Sequence, residues 1–249
     1  MISKINDASE AKALFENWQE TMIWSCLQGI MGDIYTDNTE RLTSAVAVLG
    51  DFCFLAGEPK EELTLFLPKN FIIMVPQNRR WAEVIETCYG KHAKKVTRYA
   101  MKKEPDIFKE EKLQRAMILP SQYLLKIIDE EMFYLCGKQE WSRDFVSQYV
   151  NYETYQRLGI GIVALKENEI VAGASSYSSY QNGIEVEIDT KREYRRKGLA
   201  YACGARLILE CKKRNLYPSW DAQNLWSVAL AEKLGYHFDY EYCAYEILK

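Results

Sequence analysis

The stretch Thr190-Lys191-Arg192-Glu193-Tyr194-Arg195-Arg196-Lys197-Gly198-Leu199-Ala200 concentrates residues that could bind an anion. Five of the seven residues 191–197 are cationic: Lys191, Arg192, Arg195, Arg196 and Lys197. Gly198 and Ala200 carry little or no side chain, so a ligand can come close to the backbone. A helix opening here would point its first N–H groups, which have no intrahelical partner, at that ligand. With the helix dipole they form a site for phosphate or pyrophosphate. The spacing is R-x-x-G-x-A, which is neither G-x-x-x-x-G-K-[ST] nor G-x-G-x-x-G. A solvated basic turn before an amphipathic helix would have the same composition, so the surrounding elements decide.

A second element follows at Asn224-Leu-Trp-Ser-Val-Ala-Leu-Ala-Glu-Lys-Leu-Gly-Tyr236. Asn224 can cap a helix, Ser227 lies on its first turn, and Leu230 and Leu234 recur on one face. Gly235 stands where such a helix would end. Upstream, period-2 alternation predicts strands over 159–166, 170–180 and 184–190. The turns between them are Glu167-Asn168-Glu169 and Gln181-Asn182-Gly183, the latter a strong hairpin signal. A helix over 198–214, a strand over 217–221, the helix 224–234 and a strand over 236–247 complete the order β-β-β-α-β-α-β. A strand over 123–128 and a helix over 142–157, opened by Ser142, precede it.

The first half reads as α/β. A helix is predicted over 8–19, a hairpin of 44–49 with 52–56 around Gly50-Asp51, and a buried strand over 71–75. Asn78 caps a helix through Trp81, Val84 and Ile85, and 94–103 reads as an exposed strand. The polar segment 102–120, with Pro105 and Pro120, reads as a linker or a solvated helix. The boundary is placed there, giving an N-terminal α/β region, 1–119, and a second domain, 120–249. No repeat with a fixed short period and no low-complexity tract is present.

R-x-x-G-x-A at 195–200 together with the Asn224–Tyr236 element resembles the GNAT superfamily of N-acetyltransferases. The first looks like its acetyl-CoA pyrophosphate signature, the second like its following N-x-x-S/A-x-x-L-x-x-x-L-G-Y/F element. The resemblance covers about 120–249. Residues 1–120 lie outside it and look like the N-terminal extension of a bacterial subgroup that includes zwittermicin-A-resistance-like acetyltransferases. It implies an α+β fold with a mixed, mostly antiparallel sheet flanked by helices. It also implies transfer of the acetyl group of acetyl-CoA directly to a primary amine. Backbone N–H groups from Arg196 through Lys197, Gly198, Leu199, Ala200 and Tyr201 would hold the pyrophosphate. The pantetheine arm would pair like an added strand with Ile188, Asp189 and Thr190. Asn224 and Ser227 would meet it from the second helix, and Lys191, Arg192, Arg195 and Lys197 would supply positive potential.

An ammonium of pKa near ~10.4 must lose a proton before it attacks. Glu185 and Glu187 alternate on one face of the strand before the loop, with Asp189, opposite Ile184, Val186 and Ile188. Either carboxylate could take the proton, although a solvated strand face would show the same pattern. The backbone N–H of Ile188 is a candidate for the oxyanion. Many family members carry a tyrosine just after the position of Leu230 to protonate the departing thiolate. Here that residue is Ala231. Either the thiolate leaves unaided, or another group serves, with Tyr236, Tyr201 and Tyr177 as candidates. Cys203 and Cys211 have no histidine near them in sequence and read as packed helix residues.

Composition narrows the alternatives. Thirty-two Lys+Arg against 35 Asp+Glu give a net charge of −3, which argues against a nucleic-acid binder. A basic run, Lys91, Lys94, Lys95, Arg98, Lys102 and Lys103, is the feature in favour of one, and Glu104 and Asp106 follow it at once. Seven scattered cysteines without a C-x-x-C pair and two histidines predict no metal site and a reduced, cytoplasmic protein. The longest apolar run, 63–76, is broken by Pro68-Lys69-Asn70, so no membrane partner is expected. A coenzyme-binding or regulatory module that has lost its chemistry is the alternative to an active enzyme. The acceptor amine and the choice between monomer and homodimer are open at this stage.

Overall fold

Alternating apolar residues and turn chemistry set the strands, and asparagine or aspartate caps open four of the eight α-helices among the described residues. A computed structural model describes residues 2–38, 41–67 and 71–248. Pro68-Lys69-Asn70, which interrupts the apolar run, lies outside the described residues. The chain divides into two compact units, Met1–Arg98 with Glu241–Lys249, and Tyr99–Tyr240.

The first unit contains β1 (Ser3–Lys4), α1 (Thr21–Leu27), β2 (Asp33–Thr36), β3 (Ser44–Leu49), β4 (Phe52–Gly57), α2 (Glu61–Leu65), β5 (Phe71–Pro76), α3 (Arg79–Tyr89) and most of β6 (Ala93–Met101). Strands β1 to β4 are antiparallel neighbours, and β5 lies parallel to β4. Cys53, Leu55, Ile72, Met74, Trp81 and Ile85 form its core, with Tyr245 and Ile247 of the last strand.

The second unit contains α4 (Glu110–Ala116), β7 (Leu124–Ile127), α5 (Glu130–Lys138), α6 (Tyr152–Leu158), β8 (Gly161–Lys166), β9 (Glu169–Tyr180), β10 (Gly183–Thr190), α7 (Leu199–Lys213), β11 (Tyr217–Ser219), β12 (Asp221–Ala222) and α8 (Leu225–Leu234). The last strand, β13 (Phe238–Leu248), begins there and ends in the first unit. The sheet order is β11-β10-β9-β8-β7, antiparallel except for β10 with β11. Helix α7 packs on this sheet through Leu199, Cys203, Leu207 and Cys211, all buried. Each fully buried aliphatic side chain of this kind contributes about 1.5–3 kcal/mol.

Three expectations change. The helix over 142–157 is interrupted: Ser142 donates its hydroxyl to the Cys136 carbonyl (2.9 Å), Phe145 is buried in a short 3-10 turn, and Asn151 caps a separate α6. The helix over 8–19 is a 3-10 helix over Ala8–Phe15, capped by Asp7. The compact units divide at 98/99 instead of 119/120. Segment 102–120 contains α4, whose Leu113 is buried in the core of the second unit, and the last nine residues return to the first.

Candidate acyl-transfer site

Strand β10 presents two chemically different faces. Ile184 and Val186 are buried against the α7 core, and Ile188 packs there too. A Cβ placed on Gly204 of α7 would lie 3.5 Å from Ile188 Cδ1. Glu185, Glu187 and Asp189 therefore point to the other face. Their cross-strand partners in β9 are Ser178, Ser175 and Gly173. Ser175 donates to the Phe145 carbonyl (2.7 Å) and meets the Tyr155 hydroxyl (2.9 Å), so the loop before α6 and α6 itself cover the carboxylate face. Tyr177 is an extra residue in β9, because Glu185 opposes Ser178 while Val186 opposes Ser176.

The strand forks at Glu185. Residues 183–185 pair in parallel with 217–219, and Glu185 opposite Ser219 is the last pair. Beyond it the neighbouring chain turns away: Asp221 and Ala222 pair with Ala100 and Tyr99 of β6, and the Trp220 carbonyl accepts Met101 N–H (3.2 Å). No described strand pairs with residues 186–190 on that side. The result is a backbone edge, open along Val186 to Thr190, that leads to the basic turn.

The cations of that turn have separate duties. Arg195 Nε donates to the Thr190 carbonyl (3.0 Å) and its Nη2 to Asp189 Oδ1 (3.3 Å), bracing the end of β10. Lys191 is held by Glu169 and by Glu193 (3.1 Å), and those hydrogen bonds raise its pKa. Lys197 lies over the Tyr194 ring, 4.7 Å from its centroid. Arg192, Arg196 and Lys197 are exposed.

Arg196 (φ 63°) and Gly198 (φ 80°) are both left-handed, which turns successive N–H groups to one side as a nest. Leu199, 1% exposed, anchors the start of α7. No side chain caps this helix, as none caps α1, α2 or α4, whereas Asn78, Asp129, Asn151 and Asn224 cap α3, α5, α6 and α8. The N–H groups of Leu199, Ala200 and Tyr201 thus lack intrahelical acceptors. A Cβ on Gly198 would meet no described atom within 4 Å. Tyr201 borders a surface depression of about 770 Å³ lined by Lys109, Lys112 and Arg115 and also by Glu110 and Glu111.

On the far side of the fork, the exposed Asn224 accepts Ser227 N–H on Oδ1 (3.0 Å). Ser227 Oγ accepts the Trp220 indole N–H (3.0 Å), so its hydroxyl braces the fork. Tyr236 is 1% exposed and donates its hydroxyl to the Pro218 carbonyl (2.7 Å), a structural post beneath β11 that does not open onto the cleft. Burial lifts its pKa well above the ordinary value.

Glu185, 6% exposed, sits at the fork's apex among tyrosines that the sequence did not single out together. Burial raises the phenols of Tyr180 and Tyr217, the latter to about 12, and the charge of Glu185 adds to both. Tyr180 shares a hydrogen bond with Ser219 (2.8 Å), and Tyr217 bridges the Lys102 carbonyl (3.1 Å) and the Glu104 N–H (3.0 Å). The β9–β10 hairpin sets Tyr180 beside the start of β10, and the parallel register of β10 with β11, which no local pattern encodes, adds Tyr217 and Ser219. Glu187 is half-buried, two positions beyond the apex. Cys203 and Cys211 are fully buried, and desolvation pushes both thiols up, Cys211 to about 12, which makes them inert as nucleophiles. Among the described residues no three His, Cys, Asp or Glu side chains converge as metal ligands, and no helix is long and apolar enough to cross a membrane.

The family model described as GNAT acetyltransferase matches residues 12–245. The match begins well before residue 120, so the family model covers most of the N-terminal region as well. A crystal structure of a GCN5-related N-acetyltransferase-like protein from Streptococcus suis 89/1591 is 47% identical, with a TM-score of 0.93 over 97% of this chain and 98% of that one. An uncharacterised N-acetyltransferase of Bacillus subtilis (strain 168) is 27% identical over 95% of this chain and 94% of its own. A GNAT-family acetyltransferase from Colwellia psychrerythraea, 10% identical, covers both chains in full with a TM-score of 0.55, a likeness of fold alone. With an open strand edge running into an uncapped, glycine-started helix, and a family match over nearly its whole length, the chain belongs to the GNAT acetyltransferase family.

Proposed function

We propose that this chain binds acetyl-CoA along β10 and transfers its acetyl group directly to a primary amine of a small molecule. The observation that carries the reading is the fork: a strand edge open from Val186 to Thr190 that ends at the uncapped N-terminus of α7. Ile188, Asp189 and Thr190 would pair with the pantetheine arm. The N–H groups of the Arg196–Tyr201 turn would hold the pyrophosphate, and Arg196 and Lys197 would supply charge from its rim. The amide of Asn224 would hold the arm from the opposite side. The depression beside Tyr201 would take the nucleotide end.

The amine attacks the thioester carbonyl, the C–S bond breaks, and the ammonium proton passes to a carboxylate. Glu187, half-buried and just beyond the apex, is placed to accept it and return it to water. Glu185, deeper, supplies negative potential that draws the cationic amine in. The Ile188 N–H faces the developing oxyanion. Tyr236 keeps its proton on Pro218 and is not the donor, and a thiolate of ordinary pKa near ~8.5 leaves unaided at modest cost. A reduced, cytoplasmic setting belongs to the same reading.

The test is calorimetric binding of acetyl-CoA and thiol release with a panel of amines. Gly198→Asp should abolish binding by placing a carboxylate in the nest. Gly198→Ala, which carries the same left-handed strain of about 1–2 kcal/mol without the charge, should retain part of it. Unchanged affinity in Gly198→Asp would refute the site. Glu187→Gln should lower kcat about 10²-fold or more with binding kept, as for loss of a general base. Glu185→Gln should act mainly on the KM of the amine. Wild-type protein that binds the coenzyme but never releases thiol would favour a binding module, for which Ala231 in place of a tyrosine is the sequence support.

A further inference from the structure

Two tryptophans of the first unit, Trp18 and Trp24, line a depression of about 590 Å³ together with Phe15 and Leu27. That volume lies within the range of small-molecule sites, roughly 300–1,000 Å³. Phe15 is buried, while both indoles and Leu27 are half-buried and give the depression an apolar lining. The sequence builds this lining locally. Asp7 caps the 3-10 helix over Ala8–Phe15 by accepting the Ser9 N–H (3.0 Å). Asn17, left-handed at φ 65°, then turns the chain, a conformation that its short polar side chain tolerates. Beyond the turn the Trp18 N–H donates to the Phe15 carbonyl (3.2 Å). The Trp18 carbonyl accepts the Trp24 indole N–H (3.1 Å), the one donor that ring carries. The Trp18 ring stacks on Phe15, with centroids 6.0 Å apart, and meets Phe54 edge-on at 5.8 Å. Rings held at this many points need little reordering to take a ligand.

The rim of the depression is charged. A 3-10 helix has about three residues per turn, so Glu10, Ala13 and Glu16 fall along one line and Ser9 and Lys12 along the next. All five border the depression. Ala13, with its short side chain, leaves a gap between the two carboxylates. Glu10, Lys12 and Glu16 are exposed, and among the described residues none of them forms an ion pair. Elsewhere in the same unit Lys4, Lys60, Arg79, Arg80 and Lys94 each hold a carboxylate. Two carboxylates against one ammonium leave the rim net negative. An apolar lining of two indoles under a net negative rim is complementary to a ligand that joins an apolar ring to a positive charge. Indole is also the strongest cation–π partner among the side chains.

We propose that this depression is a binding site for a small arylalkylammonium, an organic cation built on an aromatic ring. The ring covers the surfaces of Trp18 and Trp24, and the ammonium lies in the field of Glu10 and Glu16. An anion of the same shape meets the two carboxylates unfavourably, and a cation without a ring leaves the indoles uncovered. The site lies wholly within the first unit, shares no residue with the acyl-transfer groove and does not rest on the coenzyme reading.

The probe is N,N,N-trimethyl-2-phenylethylammonium, which is permanently charged and has no N–H to acylate, so it cannot serve as an acyl acceptor. Titration of the full-length protein, followed by tryptophan fluorescence and calorimetry, should show one saturable site per chain. Affinity should exceed that for 3-phenylpropanoate, or for tetramethylammonium, at least tenfold. Ala13→Trp, at an exposed position, should fill the gap and abolish binding with circular dichroism unchanged. The double variant Glu10→Gln, Glu16→Gln leaves the lining intact and should weaken binding about tenfold, with most of its salt dependence lost. No saturable binding at millimolar probe would overturn the site. Binding that survives in Ala13→Trp would place the probe elsewhere and overturn the assignment. Equal affinity for the carboxylate, or unchanged affinity in the double glutamine variant, would overturn the cationic class of the ligand.

Discussion

Arg195 and Arg196 are adjacent and equally cationic, yet they do different things. Arg195 is bonded to the Thr190 carbonyl and Asp189, whereas Arg196 is exposed in a left-handed conformation on the rim of the nest. Arg195→Ala should cost about 1 kcal/mol of stability, the worth of one hydrogen bond plus an exposed ion pair. It should weaken coenzyme binding at all salt concentrations, because the end of β10 loses its brace. Arg196→Ala should leave the melting temperature unchanged and weaken binding chiefly at low salt, since an exposed charge is screened beyond about 8–10 Å. Equal salt dependence of the two variants would contradict this division. The spacing R-x-x-G-x-A was legible in the sequence, and so was the open glycine. Which cation braces the fold was not legible, because Lys191 is held by Glu169, which the β9–β10 pairing brings to it from 22 residues upstream.

At the scale of elements, what sequence could read were units that carry their own signals. The Asn182-Gly183 hairpin, the alternating strands β8 to β10 and the helices capped by Asn78 and Asn224 stand within a few residues of their predicted places. Residues 217–221 read as a single strand. They are two short strands, because Ser219 pairs with β10 and Asp221 with β6, a partner about 120 positions earlier. The fork that makes the groove is therefore a product of long-range pairing that no local window contains. Helix α8 forms one wall of it and depends on its cap. Asn224→Ala should cost about 1 kcal/mol, the usual worth of such a cap. It should lower coenzyme affinity by more than the stability loss alone explains, because the amide proposed to hold the pantetheine arm goes with the cap. Asn224→Asp keeps the cap and removes the amide donor, so it should restore the melting temperature without restoring affinity. Recovery of both by Asn224→Asp would show that Asn224 acts only as a cap.

For the whole molecule, the sharing of the last strand escaped sequence reading, because β13 begins in the second unit and ends in the first, over 100 residues from the strand it pairs with there. The distribution of thiols is similarly a property of the folded chain. Of the seven cysteines, five are buried in one or other unit, and Cys88 and Cys243 are half-buried. Desolvation pushes the thiols of Cys26, Cys136 and Cys211 to about 12, so almost no thiolate exists there near neutral pH. Folded protein at pH 8 should react with a disulfide reagent at Cys88 and Cys243 first, and at the other five only as fast as it unfolds. The same shifts set an alkaline limit. A thiol whose folded pKa lies above its unfolded value of about 8.5 favours the native state fully below that value. The advantage is lost as pH rises through the folded value, because the unfolded chain gives up its protons first. Thermal stability should therefore hold steady to about pH 8 and decline progressively between about pH 9 and 12. Replacing Cys26, Cys136 and Cys211 with alanine should flatten that decline at a cost in packing that is the same at every pH. A decline of unchanged steepness in the triple variant would assign the alkaline limit to the buried tyrosines instead.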